Sequence, residues 1–462
     1  MTRHPTSTPP VRHRRLHRLR TRPLKDIGPR EGVAAGRRTA WVLGLALDVG
    51  ELLLADGQGT EDVEAAMRTV ARPFGLDGEP QVTFTMIAIS HRRSEDEGAT
   101  VLDRTVWRRA PNYTRLSATY TFVAQVAEGR FDLEHARRRL AAIRRRHPPY
   151  PSWLISLVAG TLAASATLLV GGSADAKAVM TFAAAFVASF IGDRLAGVFY
   201  DRGIPEFYQY VIAAAPASVV GVVLALAGAG LRGSQVITGG LFALLPGRAL
   251  VAAVQDGLTG FYLTAAARLV ELLYLITGVI LGVLAILPLG ELLGAHLRPE
   301  DPLERSSAPG LQLLAAAGLS ISLAVLLQTP RYTLPFVTLN GAAAWTVFGV
   351  LTRQLDMSAI AATGIAAATA SLFAHTLSRQ QKLQPLPHIS AALGPLLPGA
   401  LTYTGVLAFI QGRPADGLGD LSRAAAIALA LAIGVSIGGE LTRQLRRVPS
   451  LHRLAAERTR SY

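Results

Sequence analysis

The sequence contains no cysteine. This absence excludes disulfide bridges, thiolate nucleophiles and cysteine-ligated metals. The chain also lacks the G-x-x-x-x-G-K-[ST] loop that cradles nucleotide phosphates, so nothing in the sequence indicates ATP as an energy source. We therefore expect neither a cofactor nor a bound metal.

Basic side chains are concentrated at the two ends of the chain. The net charge is +14, and residues 1–38 together with residues 441–462 account for all of it. Such tails suit anionic lipid headgroups, at about 1 kcal/mol per Lys or Arg near the surface. Nucleic-acid binding is the competing interpretation of a basic arm. We expect no nucleic-acid partner, because the rest of the chain has the pattern of a membrane protein.

The sequence predicts a tail at each end of the chain and a small domain behind the first tail. Residues 1–38 have too few apolar side chains to order themselves, and residues 446–462 form a second basic tail. Residues 39–150 predict a small α+β domain, in which Thr60 is suited to cap a helix that has acidic residues in its first turn. The predicted elements are helices over residues 40–55, 60–75, 115–128 and 133–146 and strands over residues 81–90 and 99–107.

Apolar stretches follow one another almost without pause from Trp153 to Leu445. A helix needs about 20 such residues to cross a hydrocarbon core of roughly 30 Å. The fold class predicted is therefore an all-α polytopic membrane protein of about ten transmembrane helices behind a small α+β cytoplasmic domain. The predicted spans are residues 153–172, 176–200, 207–230, 234–252, 266–287, 309–328, 332–351, 357–377, 388–411 and 421–442.

The distribution of arginine sets the expected orientation. Arginines over residues 137–146 precede the first span, and Arg443, Arg446 and Arg447 follow the last one. Positive segments stay in the cytoplasm, so both termini are expected there, which requires an even number of crossings.

A faint internal duplication divides the membrane part into residues 151–290 and 309–445. Leu-Leu-Pro-Gly occurs at residues 244–247 and again at residues 396–399, and Gly278 with Gly282 recurs as Gly434 with Gly438. Five spans in each half would place the second half upside down, so the sequence predicts two inverted five-helix repeats. Coincidence among small apolar residues is the alternative.

Helix-breaking residues in the two Pro-Gly sequences indicate a substrate site. A proline leaves a backbone carbonyl without its partner, and in lipid that carbonyl needs protein, water or substrate. Half-helix N-termini attract anions and free carbonyls attract cations, so a zwitterionic amino acid suits two facing breaks. Structural kinks are the alternative. The candidate substrate-binding residues are Pro246, Gly247, Arg248, Asn340, Gly394, Pro395, Pro398, Gly399 and Tyr403.

Charged residues inside spans are candidates for moving protons, because such residues usually face a cavity or a partner. We name Asp193, Glu271 and Asp256 for this role. Arg268 lies three residues before Glu271, close enough on one helical face to pair with it. We expect Arg268 to extend to the headgroups instead.

An ordered series of residues resembles the threonine/serine exporter family. It comprises Gly50–Leu54, Gly57, Thr60–Val63, Met67 and Gly75, then Gly239-Gly240, Leu245-Pro246-Gly247, Asp256, Gly260 and Ala267-Arg268, and finally Pro330-Arg331, Gly341, Trp345, Pro387, Pro395–Gly399, Tyr403 and Gly405. The resemblance covers roughly residues 40–445. It implies efflux of threonine and serine, driven by the proton gradient, through ten spans with a cytoplasmic N-terminal domain.

Other functions remain open at this stage. The tail before residue 39 and Thr329 depart from the family pattern, and related proteins of this architecture handle small carboxylates, so export of organic acids such as dicarboxylates is one alternative. A membrane-tethered hydrolase is another, with His91, Asp96, Glu97 and Asp103 as candidate acid-base groups. In a third interpretation the front domain is a regulatory or oligomerising module. A homo-oligomer is a further alternative.

Overall fold

The computed structural model of the chain describes residues 30–92, 98–107, 111–171, 176–228, 233–244, 247–295, 309–380 and 385–445. The predictions made for residues 1–29 and 446–462, and for Asp96, Glu97 and Pro246, concern residues outside these ranges.

In the described part of the front domain, four helices pack with a three-stranded antiparallel sheet. The helices are α1 (Arg30–Ala55), α2 (Thr60–Ala71), α3 (Tyr113–Ala127) and α4 (Leu133–Arg144), and the strands are β1 (Glu79–Val82), β2 (Met86–His91) and β3 (Thr100–Thr105). Helix α1 begins upstream of the predicted start at Ala40. Leu53, Met67, Ile87 and Phe122 belong to one buried core that joins the helices to the sheet.

The prediction of a single strand over residues 81–90 is wrong. The chain turns after Val82, where the N–H of Thr83 donates to the carbonyl of Met86 over 2.8 Å, and β1 and β2 pair in antiparallel register. The turn reverses the alternation, so Ile87 is buried whereas Met86 is exposed. Periodicity alone misses this turn because the segment contains no glycine or proline to mark it.

The described residues after the front domain are mainly helical. The helices are α5 (Ser152–Gly171), α6 (Ala176–Asp201), α7 (Glu206–Leu226), α8 (Gly233–Phe242), α9 (Gly247–Leu258), α10 (Tyr262–Leu284), α11 (Leu287–Leu292), α12 (Pro309–Leu326), α13 (Leu334–Arg353), α14 (Ala359–Gln380), α15 (Leu386–Ala392), α16 (Gly399–Ile410) and α17 (Pro414–Leu445). Among the described residues, eight helices are long and apolar enough to cross a bilayer: α5, α6, α7, α10 with α11, α12, α13, α14 and α17. The chain is a multi-pass membrane protein.

Two of the predicted spans are not continuous helices. Residues 234–252 are divided between α8 and α9, and residues 388–411 are divided between α15 and α16. Each division falls at one of the two Leu-Leu-Pro-Gly sequences. We call α8 with α9 the first interrupted segment, and α15 with α16 the second interrupted segment.

The same pattern of neighbours occurs in both parts of the membrane region. Helices α5, α6, α7 and α10 pack consecutively, as do α12, α13, α14 and α17. Helix α8 contacts α5, α6 and α7, and α15 contacts α12, α13 and α14, whereas α9 packs on α10 and α16 on α17. Each of these contacts in one half therefore has a counterpart in the other half. Helices α5 and α12, the first of each half, also pack on each other.

Glycines bring α10 against α7 and α17 against α14. In each case a Cβ on the glycine would approach a backbone carbonyl of the neighbouring helix more closely than real Cβ atoms do. Two glycines four residues apart meet two carbonyls four residues apart in both halves. The pairs are Gly278 with Phe207 and Gly282 with Val211, and Gly434 with Gly364 and Gly438 with Ala368.

Candidate functional site

The second interrupted segment is broken by two prolines that cannot donate backbone hydrogen bonds. After α15 the chain forms one 3-10 turn that contains Pro395. Leu397 is then extended, with φ −65° and ψ 138°, before α16 begins at Gly399. The predicted site residues of this break are all buried inside the protein, namely Gly394, Pro395, Pro398 and Gly399.

In the first interrupted segment, α8 ends at Phe242 and α9 begins at Gly247. The chain therefore breaks where the sequence predicts. Pro246 lies outside the described residues, and Arg248 is described only as part of α9, without its side chain.

The two breaks lie against each other. A Cβ added to Gly399 would lie 2.7 Å from two ring carbons of Phe242, so the last residue of α8 packs on the first residue of α16. Val251 of α9 belongs to the same buried cluster as Leu393 and Leu396 of the second break. Helix α8 of the first interrupted segment thus contacts the second one, and α9 shares a buried cluster with it.

The remaining substrate candidates are placed differently. Asn340, on α13, is buried, and its Nδ2 donates to the carbonyl of Ala370 on α14 over 3.1 Å. Its amide therefore joins two neighbouring helices. Tyr403 lies on α16, and its side chain is outside the described part of the structure.

Asp256, on α9, is buried and interacts with two distant parts of the chain. Its Oδ2 lies 2.7 Å from Nε of Arg268 on α10, and its Oδ1 accepts from the N–H of Thr60 over 3.3 Å. The expectation that Arg268 extends to the headgroups is wrong, because the guanidinium is buried beside Asp256. The other two candidates for moving protons, Asp193 on α6 and Glu271 on α10, are partly exposed.

Helix α2 of the front domain is capped by the membrane part. The residue at its N-cap is Gly59, not Thr60 as predicted, and no side chain of the cap accepts a hydrogen bond there. Helix N-termini leave backbone N–H groups without partners and favour negative charge. The Asp256 carboxylate supplies both an acceptor and a negative charge.

Further hydrogen bonds join the front domain to the second half of the membrane part. The hydroxyl of Tyr113 donates to Oγ of Ser390 on α15 over 2.9 Å, and the hydroxyl of Tyr150 donates to the carbonyl of Thr329 over 2.9 Å. The N–H of Thr114 donates to the carbonyl of Gln328 over 3.0 Å. These residues carry no local sequence signal, because their partners lie far away along the chain.

An ion pair with a buried carboxylate lies in the front domain beside this interface. Asp56 is fully buried, and Nε of Arg115 donates to its Oδ2 over 3.0 Å. Burial raises the pKa of Asp56 from 3.8 to about 6, against the opposing effect of Arg115.

A cavity of about 810 Å³ lies on the front domain. It is lined by Arg37, Arg38, Trp41, Pro73, Phe74, Gly129, Phe131, Asp132 and Leu133. None of these residues belongs to an interrupted segment, so this cavity is distinct from the predicted substrate site.

The groups considered for hydrolysis do not form a metal site among the described residues. In the sheet, His91 pairs with Thr100 and Asp103 pairs with Ala88, so the two candidate groups are three residues apart along the ladder. Nδ1 of His91 lies 3.0 Å from the carbonyl of Asp77.

Comparisons with known proteins agree with this architecture. Family profiles described as threonine/serine exporter match residues 44–290 and residues 312–439, one on each half of the membrane part. The chain is 31% identical over 440 residues to the probable threonine/serine exporter of Mycobacterium tuberculosis, which covers 93% of this chain and 82% of that protein. It is 27% identical over 426 residues to the threonine/serine exporter of Corynebacterium glutamicum, covering 89% of this chain and 84% of that protein.

No solved structure matches the chain. The family profiles together cover both interrupted segments, and the first begins within the front domain. With both profiles matched and a relative 31% identical over 82% of its own length, the chain belongs to the threonine/serine exporter family.

Proposed function

We propose that the protein is a secondary transporter that exports threonine and serine across the bacterial inner membrane, with both termini in the cytoplasm. The observation that carries this proposal is the contact between Phe242 and Gly399, which brings the two interruptions together inside the protein. The names of the relatives supply the substrate class.

An inverted repeat would explain why two breaks occur and why they meet. Each half contains three long helices, one interrupted segment and one further long helix. The glycine–carbonyl contacts between α7 and α10 recur between α14 and α17. An odd number of crossings in each half would relate the halves by an axis in the membrane plane, as in transporters whose two repeats alternate the access to a central site.

The charged groups of an amino-acid substrate suit the ends of the four short helices at the breaks. The C-terminal ends of α8 and α15 present backbone carbonyls, and the N-terminal ends of α9 and α16 present N–H groups, at the two breaks. A zwitterionic amino acid has an ammonium group for the first kind of end and a carboxylate for the second. We infer that Gly247, Arg248, Gly394 and Gly399 lie around the substrate, together with Pro246, Pro395, Pro398 and Tyr403.

The proton gradient is the energy source that we propose. The membrane potential provides about 2.3 kcal/mol per charge per 100 mV. The entry of one proton would make this energy available for export of the substrate. Among the three candidates Asp256 is favoured as the proton carrier, because it is buried and lies on an interrupted segment. Asp193 and Glu271 are the other candidates.

Reconstituted vesicles containing the full-length protein test this proposal. Radiolabelled threonine, serine and succinate are compared, each with and without an imposed pH gradient and with an uncoupler. We expect threonine and serine to be transported, faster with the gradient, and succinate to be excluded. Transport of succinate alone would favour the organic-acid alternative, whereas no transport of any of the three would contradict the proposal.

A further inference from the structure

We propose that the front domain holds the two interrupted segments in the arrangement that binds substrate, with Thr60 and Tyr113 as positioning residues. This inference rests on the proposed transport function. It assigns the front domain a part in the transport cycle, in place of the module of unspecified role expected from the sequence.

The first contact fixes the second interrupted segment. Tyr113 is fully buried at the start of α3, and its hydroxyl donates to Ser390 on α15. Ser390 lies one helical turn before Gly394, where the break begins. A buried hydrogen bond of this kind is costly to leave unmade, so α15 is held in place where it enters the break.

The second contact fixes the first interrupted segment. The main-chain N–H of Thr60 donates to Asp256 on α9, and Thr60 is fully buried. Because Gly59 offers no capping side chain, α2 depends on Asp256 for this partner. The same carboxylate is in contact with Arg268, so the contact from the front domain joins α9 and α10 at one point.

Both contacts start close to one ion pair of the front domain. Tyr113 precedes Arg115 by two residues, and Thr60 follows Asp56 by four. The side chains of Arg115 and Asp56 form a buried ion pair, with Nε and Oδ2 3.0 Å apart. The start of α2 and the start of α3 are therefore tied to each other, and a displacement of one anchoring residue displaces the other.

The two interrupted segments are thus connected twice. They touch directly at Phe242 and Gly399, and they are bridged by the front domain through Thr60 and Tyr113. Loss of either bridge lowers the fraction of molecules in the binding-competent arrangement. The apparent affinity falls by that fraction, whereas a loss of folded protein lowers the transport rate at saturation and leaves the KM unchanged.

Two substitutions with matched controls remove the bridges one at a time. Thr60→Pro deletes the N–H at the first helical position, where proline is well tolerated, and the preceding Gly59 is already extended, with φ −65° and ψ 152°. Thr60→Ala is the conservative variant that retains the N–H. Tyr113→Phe deletes the hydroxyl on Ser390, and Tyr150→Phe deletes a similar hydroxyl that bonds the loop after α12 instead of an interrupted segment.

Threonine transport is measured with each full-length variant in vesicles, as initial rates over a range of concentrations. We expect Thr60→Pro and Tyr113→Phe each to raise the KM for threonine about fivefold, the order expected for one hydrogen bond, with Thr60→Ala and Tyr150→Phe close to the unsubstituted protein. Equal KM values for all four variants, with the unsubstituted protein active, would overturn the positioning role. Lack of transport by the unsubstituted protein would instead overturn the proposed function.

Discussion

The ring of Phe242 packs on Gly399, so the end of α8 and the beginning of α16 are in van der Waals contact. These residues border the two breaks in the membrane part, in halves of the chain that share the same pattern of helix neighbours. The contact therefore places the two Pro-Gly breaks at one location in the structure. It is the basis of the proposed substrate site.

Substitution of Gly399 by alanine is expected to weaken threonine binding. The new Cβ would lie 2.7 Å from the Phe242 ring, and overpacking of this kind costs about 1–3 kcal/mol. We expect roughly a tenfold rise in the KM for threonine. The double variant Gly399→Ala with Phe242→Leu should recover part of the loss, because the smaller side chain makes room. Additive effects of the two substitutions on the KM for threonine would show that these residues act independently.

The glycines that face backbone carbonyls are expected to matter for stability. Gly278→Ala and Gly434→Ala each place a Cβ against a carbonyl of a neighbouring helix, so each should lower the thermal midpoint of the purified protein in detergent. Gly197→Ala on α6 is the control, because a Cβ there meets nothing within 4 Å and alanine favours a helix by about 1 kcal/mol. Three indistinguishable midpoints would contradict the close packing.

The buried pair of Asp256 and Arg268 is expected to be costly to break from one side. Asp256→Asn or Arg268→Gln leaves one buried charge without its counterion, which costs about 3–5 kcal/mol. The double variant removes both charges and should be more stable than either single variant. Thermal unfolding of the three variants measures this coupling. A double variant that is less stable than both single variants would argue against a shared ion pair.

Asp56 is expected to make stability depend on pH in the mildly acidic range. The pKa of Asp56 in the folded protein is about 6 against a usual value of 3.8, so the folded protein holds this proton more tightly than the unfolded chain. The corresponding stabilisation is fully present below pH 3.8 and is lost as the pH rises through 6. It amounts to about 3 kcal/mol.

Asp56→Asn should remove this dependence. The thermal midpoint of the unsubstituted protein should fall relative to that of Asp56→Asn between pH 4 and pH 7, with Asp77→Asn, an exposed acid, as the control. Parallel curves for all three proteins would exclude Asp56 as the titrating group.

Local sequence signals predicted the parts of the fold that depend on local chemistry. Long apolar stretches predicted the eight helices that can cross a bilayer, and proline with glycine predicted where two further segments break. The turn after Val82 was missed because β-branched and aromatic residues continue through it. The side chain of Thr60 suits an N-cap, so the sequence predicts the cap one residue beyond its actual place at Gly59.

Partners far apart along the chain were not predictable in this way. Asp256 was singled out from its type and position, yet its contacts with Thr60, 196 residues away, and with Arg268 required the structure. The bond from Tyr113 to Ser390 spans 277 residues, and neither residue stands out from its neighbours in sequence. Helical spacing shows neighbours on one helix, such as Arg268 and Glu271, and gives no information on partners across helices.

The absence of cysteine allows a direct test of the central claim, that the two breaks enclose a water-accessible substrate site. Single-cysteine variants Leu397→Cys, in the second break, and Leu429→Cys, on the exposed surface of α17, are treated with a charged, membrane-impermeant thiol reagent in vesicles. We expect Leu397→Cys to react and threonine to slow the reaction, and Leu429→Cys to be unreactive in lipid. Failure of Leu397→Cys to react, or a rate that threonine leaves unchanged, would contradict the account.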